Sequence, residues 1–191
     1  MTAVLDDAAF FAGVRKVTGS LDDVQVSVIN DIRNLATGWC PGWIAYGLAT
    51  AWHEARLRPI DEIGKGAGHS YGKPGKYGQA QYGRSLVQLT WDTNYEWADK
   101  ICAAAGLTKP GEILANFDLV KRPDCAALIL VKGMEGGHFT GVGLGRFIPG
   151  PLGTHPQFIS ARKIINGQDR ADLIAGYADG FQNALVAGGY K

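Results

Sequence analysis

The sequence predicts a mainly α-helical fold in a single domain, with a small β-hairpin beside a glycine-rich loop. Three observations predict it. Apolar residues recur at helical spacing through most of the chain. The exception is residues 64–83, which carry seven glycines, Pro74 and several aromatics and so read as an ordered loop. The length of 191 residues and a 46% share of hydrophobic residues suit one domain with a sizeable core, and no internal repeat or linker divides it. Residues 1–40 read as N-terminal helices and 41–191 as the core.

Taken in order, residues 8–17 predict a helix with Phe10, Phe11, Val14 and Val17 on one side. Ser20 to Asp23 supplies a hydroxyl cap and acids for a second helix, carried on by Val24, Val28, Ile29, Ile32 and Leu35. Residues 43–56 are nearly all apolar until His53-Glu54, which describes a core helix, with Pro59 as its stop. Alternation at Gln79–Tyr82 predicts a short hairpin strand. Thr90 is placed to cap a helix over 91–105 that Gly106 closes. A short helix over 110–116, a turn over 118–123 and an apolar helix over 124–134 follow. After a glycine- and proline-rich loop at 141–153 come helices over 156–165 and 169–187, parted by Asn166-Gly167.

Several function classes lose support at this stage. A formal charge of +1 does not favour a nucleic-acid partner, although Lys65, Lys73, Lys76 and Arg84 form a local basic cluster that could attract an anionic polymer. Cys40, Cys102 and Cys125 are odd in number and widely spaced, so neither a disulfide framework nor a zinc site is expected. The His-Glu pair at 53–54 lacks the second histidine of a zinc-protease helix, since Leu57 and Arg58 follow. The N-terminal residues do not read as a secretory signal, and no apolar run approaches the roughly 18 residues of a membrane span.

Chemistry concentrates in residues 52–95. Glu54 closes an apolar helix, so partial burial is expected. Desolvation raises a carboxyl pKa, as a general acid near neutral pH requires. Glu62, eight residues on, borders the glycine-rich loop, where solvent favours an ionised base. Asp61 is its rival, because neighbours on an extended segment point to opposite sides. Tyr71, Tyr77 and Tyr82 offer flat faces for sugar rings. The plainer alternatives are a salt-bridging glutamate at 54 and a satisfied core histidine at 53.

The run Tyr82-Gly83-Arg84, then Val87-Gln88-Leu89-Thr90-Trp91 and Asn94-Tyr95, resembles the family 19 glycoside hydrolases, the plant-type chitinases and their bacterial and phage relatives. Ala51-Trp52-His53-Glu54, Glu62-Ile63-Gly64-Lys65-Gly66 and Ile165-Asn166-Gly167 match in the same order, so the likeness spans about residues 43–185. It is nearest to phage endolysins, through Tyr71–Gln79 and the stretches Asn166–Ala171 and Gly176–Ala178. Ser85 departs from the family's usual glycine, and the loop between the acids is shorter than in plant chitinases.

The resemblance implies a lysozyme-like, two-lobed helical fold with a cleft between the lobes. It implies an inverting reaction, with Glu54 as acid and Glu62 as base about 6.5–9.5 Å apart. Thr90 would hold the attacking water, and Gln88 and Asn94 would bond the sugar's N-acetyl and hydroxyl groups. His53, Tyr82, Asn166 and Arg170 would bind substrate elsewhere in the cleft. It further implies an endolysin that cuts the β-1,4 bond between N-acetylmuramic acid and N-acetylglucosamine in peptidoglycan strands. Such an enzyme is a monomer without metal, cofactor, membrane insertion or separate wall-binding module. It is made in the bacterial cytoplasm and reaches the periplasm after a holin-type protein permeabilises the membrane. A chitinase and a non-catalytic glycan-binding module are the competing expectations.

Overall fold

The computed structural model describes residues 5–191. Among them the chain forms α1 (Asp7–Thr18), α2 (Asp23–Leu35), α3 (Pro41–Ala55), β1 (Ile60–Asp61), β2 (Arg84–Ser85), α4 (Asp92–Ala104), α5 (Glu112–Ala115), α6 (Pro123–Gly136), α7 (His155–Ala161) and α8 (Ala171–Ala187). The mainly α class expected from the sequence is what the chain adopts.

Local chemistry accounts for the helix ends. Asp6 caps α1 by accepting from the Ala9 amide at 2.9 Å. For α2 the cap is Asp22 rather than Ser20, because Asp22 and Gln25 exchange side-chain bonds as a capping box. α3 stops four residues before Pro59. Arg56 and Leu57 both turn left-handed, at φ 52° and 56°. The Leu57 side chain is fully buried, the Leu57 amide donates to Ala51 O at 3.0 Å, and Gln25 Nε2 donates to Arg56 O at 2.9 Å. Burial and two hydrogen bonds thus hold a backbone that neither residue prefers.

The helices form two groups. α8 packs along α3, α1 and α7 in one lobe. α6 packs against α2, α4 and the 3-10 turn Phe117–Lys121 in the other, and α3 joins them through its contacts with α2 and α6. The N-terminal helices are therefore built into both lobes. α1 lies so close to α8 that a Cβ on Gly13 would sit 2.6 Å from the Ala184 Cβ. Stacked rings pack within one buried core: Tyr46 on Phe158, and Tyr95 on Phe117 with centroids 3.8 Å apart.

The hairpin differs from the sequence expectation. β1 pairs antiparallel with β2, Ile60 opposite Ser85 and Asp61 opposite Arg84, so the two strands bracket the glycine-rich loop. Residues 79–82 form only one isolated bridge, Pro74 to Ala80. Their glutamines bond outward instead: Gln79 to Leu114 O and the Phe117 amide, Gln81 to the Asp92 amide. That last bond also replaces the cap expected of Thr90, whose hydroxyl donates to Gln88 O at 2.8 Å. The expected turn at 118–123 is the 3-10 turn Phe117–Lys121, and α7 runs on into a second, Arg162–Ile164. No helix among the described residues is long and apolar enough to cross a membrane, and all three cysteines are free thiols.

Candidate active site

Two acids stand at the ends of rigid elements. Glu54 lies in the last turn of α3, its side chain 19% exposed. The apolar setting expected for it is modified by a charge: Arg162, 3% exposed, places Nη1 2.6 Å from Glu54 Oε1. Arg162 Nε also donates to Asp169 O, and its own carbonyl accepts from the Asn166 amide at 3.0 Å. A guanidinium this buried needs a partner, and Glu54 supplies it. Beside them His53 titrates below the usual histidine range. Burial is the main cause, and Arg162, Arg56 and Arg170 add to it against the opposing pull of Glu54. His53 is therefore neutral at pH 7.

The second acid follows β1. Side chains alternate along this segment, so Asp61 and Glu62 part company. Asp61 meets Lys121 at 2.7 Å and Lys65 at 3.3 Å. Burial raises its pKa, but the two lysines outweigh that and hold it below the ordinary carboxylate value. Glu62 turns the other way. Its Oε1 accepts from the Tyr71 hydroxyl at 3.1 Å and its Oε2 from the Gly83 amide at 3.0 Å. The Glu62 amide donates back to Gly83 O at 2.7 Å, so the acid is fixed to the base of the hairpin.

Glu62, Tyr71, Gln88, Thr90, Trp91 and Asn166 line one cleft of about 660 Å³. Asn166 comes from the α7–α8 connection and the others from the opposite lobe, so the cleft lies between lobes. A side pocket of about 140 Å³ opens beside it, sharing Gln88 and Thr90 and adding Asn94, Phe139 and Ile165. Asn94 is held there at both ends: Nδ2 donates to Thr90 O at 2.7 Å, and Oδ1 lies 3.0 Å from His138 Nε2. His138 stacks on Trp97 at 3.9 Å, and burial lowers its pKa. A groove of about 600 Å³ between α1 and α8 is nearly as large, but Lys16 is the one ionisable side chain besides Tyr177 on its walls.

The cleft wall is built on unusual backbone. Ser85, Gln88 and Trp91 all have positive φ, at 74°, 52° and 74°. Ser85 therefore occupies a conformation that glycine adopts freely, and its buried hydroxyl is anchored on Val120 O at 2.7 Å. Arg84, 5% exposed, organises the turn from within. Its Nη1 donates to Ala80 O, Tyr82 O and the Tyr95 hydroxyl, and its Nε pairs with Asp118 at 3.0 Å.

The structure thus gathers Glu62, Gln88, Thr90 and Asn166 on one surface, with Asn94 next door. Glu54 is not part of that lining; Arg162 and the Arg162–Asn166 backbone bond link it to the wall. His53 stays beside Glu54, and Arg170, whose charge acts on His53, is an exposed residue at the start of α8. Tyr82 offers no sugar face, because its ring is 7% exposed with the Arg84 guanidinium 3.6 Å from its centroid. Tyr77 donates to Glu96, which leaves Tyr71 as the tyrosine of the three on the cleft. The expected basic cluster is dispersed: Arg84 is buried, and Lys65 and Lys76 pair with Asp61 and Glu96. Sequence reasoning missed Arg162. Its signal was a charge between Ala161 and Ile164, on the apolar side of a helical pattern.

Solved structures match the chain along nearly all its length. Chitinase C from Streptomyces griseus is 21% identical, with a TM-score of 0.56 over 100% of this chain and 79% of its own. A mutant of chitinase C is 20% identical, with a TM-score of 0.54 over 98% of this chain and 94% of its own. The fold is that of the family 19 chitinases. A third structure, a bacterial family 19 chitinase, agrees at 18% identity and a TM-score of 0.51, covering 99% of this chain and 97% of that one. No family model and no curated protein matches the sequence. The likeness to the family 19 chitinases is thus one of architecture, at 18–21% sequence identity.

Proposed function

We propose that the protein is a glycoside hydrolase that cuts β-1,4-linked N-acetylated amino-sugar polymers with inversion, and that its substrate is peptidoglycan. The observation that carries this reading is Glu62, oriented by Tyr71 and Gly83 on a cleft shared with Gln88, Thr90 and Asn166. The fold shared with family 19 chitinases supports it.

In this scheme Glu54 protonates the leaving oxygen. Arg162 holds Oε1, which directs Oε2 to the proton transfer. Glu62 removes a proton from water on the opposite face of the sugar, across a gap of about 6.5–9.5 Å between carboxyls in the substrate complex. The Thr90 hydroxyl gives its own hydrogen to Gln88 O, so toward the cleft it is an acceptor, suited to hold that water. Gln88 and Asn94 bond the acetamido and hydroxyl groups. Two carboxylates and one water suffice for the chemistry.

Peptidoglycan is favoured by the endolysin-like Tyr71–Gln79 stretch and by the short connection between the acids. The enzyme would act as a monomer on the wall, reaching it from the cytoplasm once a second protein has permeabilised the membrane. Chitin is the second reading, favoured by structural neighbours that are chitinases. A silent binding module is disfavoured because both acids are present. The deciding experiment compares turbidity loss of permeabilised Gram-negative cells with release of chito-oligosaccharides. Rapid lysis, with N-acetylmuramic acid at the reducing end of the released fragments, is the expected result. Oligosaccharide release from chitin without lysis overturns the peptidoglycan assignment, and absence of both activities overturns the hydrolase.

A further inference from the structure

Trp91 combines features that folding does not explain. A backbone φ of 74° is an outlier for a bulky residue. The conformation is held in place from outside. The Trp91 amide donates to Gln81 O at 3.2 Å, the next amide donates to Gln81 Oε1 at 2.8 Å, and Trp91 O accepts from the Asn94 amide at 3.0 Å. Strain of this kind persists where the surroundings hold it, and it clusters at ligand-binding sites. Here the indole remains 46% exposed and lines the cleft beside Glu62.

The indole also has a built support. The Tyr71 and Trp91 rings pack in a T-shaped pair, with centroids 5.7 Å apart at 77°. His69 lies parallel to Tyr71 at 4.9 Å, so three rings stand in sequence along this wall. The Tyr71 hydroxyl is the group that donates to Glu62 Oε1.

We propose that Trp91 is the stacking platform for one pyranose ring of the glycan, and that Tyr71 is a positioning residue that ties this platform to Glu62. A β-1,4-linked N-acetylhexosamine carries its polar groups around the rim and axial C–H bonds on its faces. The negatively polarised face of an indole matches such a surface. The Tyr71 ring packs against the indole while its hydroxyl aims the carboxylate, so a sugar seated on Trp91 stands in fixed register with the base. This inference rests on the reading of the cleft as a glycan-hydrolysing site.

The test measures binding of a chitohexaose oligomer by calorimetry in the Glu54→Gln protein, together with KM and kcat in the otherwise native enzyme. Trp91→Ala is expected to weaken binding tenfold or more, while Trp91→Phe stays within about threefold of the parent. Trp91→Gly separates folding from binding: glycine accepts φ 74° without strain, so this variant melts higher than Trp91→Ala yet binds as weakly. Tyr71→Phe keeps the ring and loses the hydroxyl, so kcat falls at least tenfold while affinity holds within about threefold. Binding within twofold of the parent in Trp91→Ala overturns the platform. A Tyr71→Phe variant with unchanged kcat overturns the positioning role. Failure of the underlying reading looks different: the Glu54→Gln parent itself then binds neither chitohexaose nor a muropeptide strand, and the platform falls with it.

Discussion

At the scale of single residues, the Glu54–Arg162 pair is the sharpest case of one side chain depending on another. Arg162 is almost fully buried and Glu54 only partly so. Removing the acid therefore leaves a buried charge without a partner, whereas Glu54→Gln keeps an oxygen acceptor in place. Glu54→Gln is expected to fold normally and lose turnover. Glu54→Ala is expected to lose about 3–5 kcal/mol of stability as well. Urea unfolding of the two variants checks this; equal midpoints would mean that Arg162 does not need its partner. Ser85 poses a second test. Its positive φ is relieved by glycine, but its hydroxyl satisfies Val120 O. Ser85→Gly is expected to be close to neutral as the two effects offset. Ser85→Ala keeps the strain and loses the bond, and is expected to cost about 1–3 kcal/mol.

At the scale of elements, α7 is joined to α8 by a titratable contact. His155 opens α7 with Nδ1 2.5 Å from Asp179 and Nε2 3.2 Å from Asp172, both on α8. Asp179 first and Asp172 second raise the histidine's pKa above its ordinary 6.5. A raised folded-state pKa means that the protonated ring stabilises the fold. That stabilisation is complete below pH 6.5 and is lost as pH rises through the folded-state value. Melting temperature is expected to fall slightly above pH 6.5, and His155→Gln to flatten that slope. An identical pH profile in the variant would show the contact to be silent. The hairpin teaches a related lesson. Two residues of strand on either side of the glycine-rich loop were hidden in the sequence, because each is too short to show alternation.

At the scale of the whole molecule, the cleft exists because two lobes share α3. One supplies Glu62, Gln88, Thr90 and Trp91, and the other supplies Asn166 and, through Arg162, the anchor for Glu54. The α1–α8 crossing lies in the second lobe, away from the cleft. Gly13→Val would drive a side chain into the Ala184 backbone, 2.7 Å from the Cβ position. A loss of about 1–3 kcal/mol is expected, with kcat and KM unchanged well below the melting temperature. A changed KM would show that α1 communicates with the cleft.

Helical periodicity and capping chemistry are local, and they are written in neighbouring residues. For that reason the helices, the core faces of α1 and α2, the apolar character of α3 and α6, and the break at Asn166-Gly167 were legible in the chain alone. So was the presence of two acids eight residues apart within a glycine-rich context. Pairings between residues distant in sequence were not legible. Arg162 finds Glu54 across 108 positions, and Asp61 is claimed by Lys121 across 60. Sequence spacing fixes which residue types are present and how each segment turns. The direction a carboxylate faces, and what charge stands against it, is decided only when the lobes close, because electrostatic and packing energies depend on distance in space.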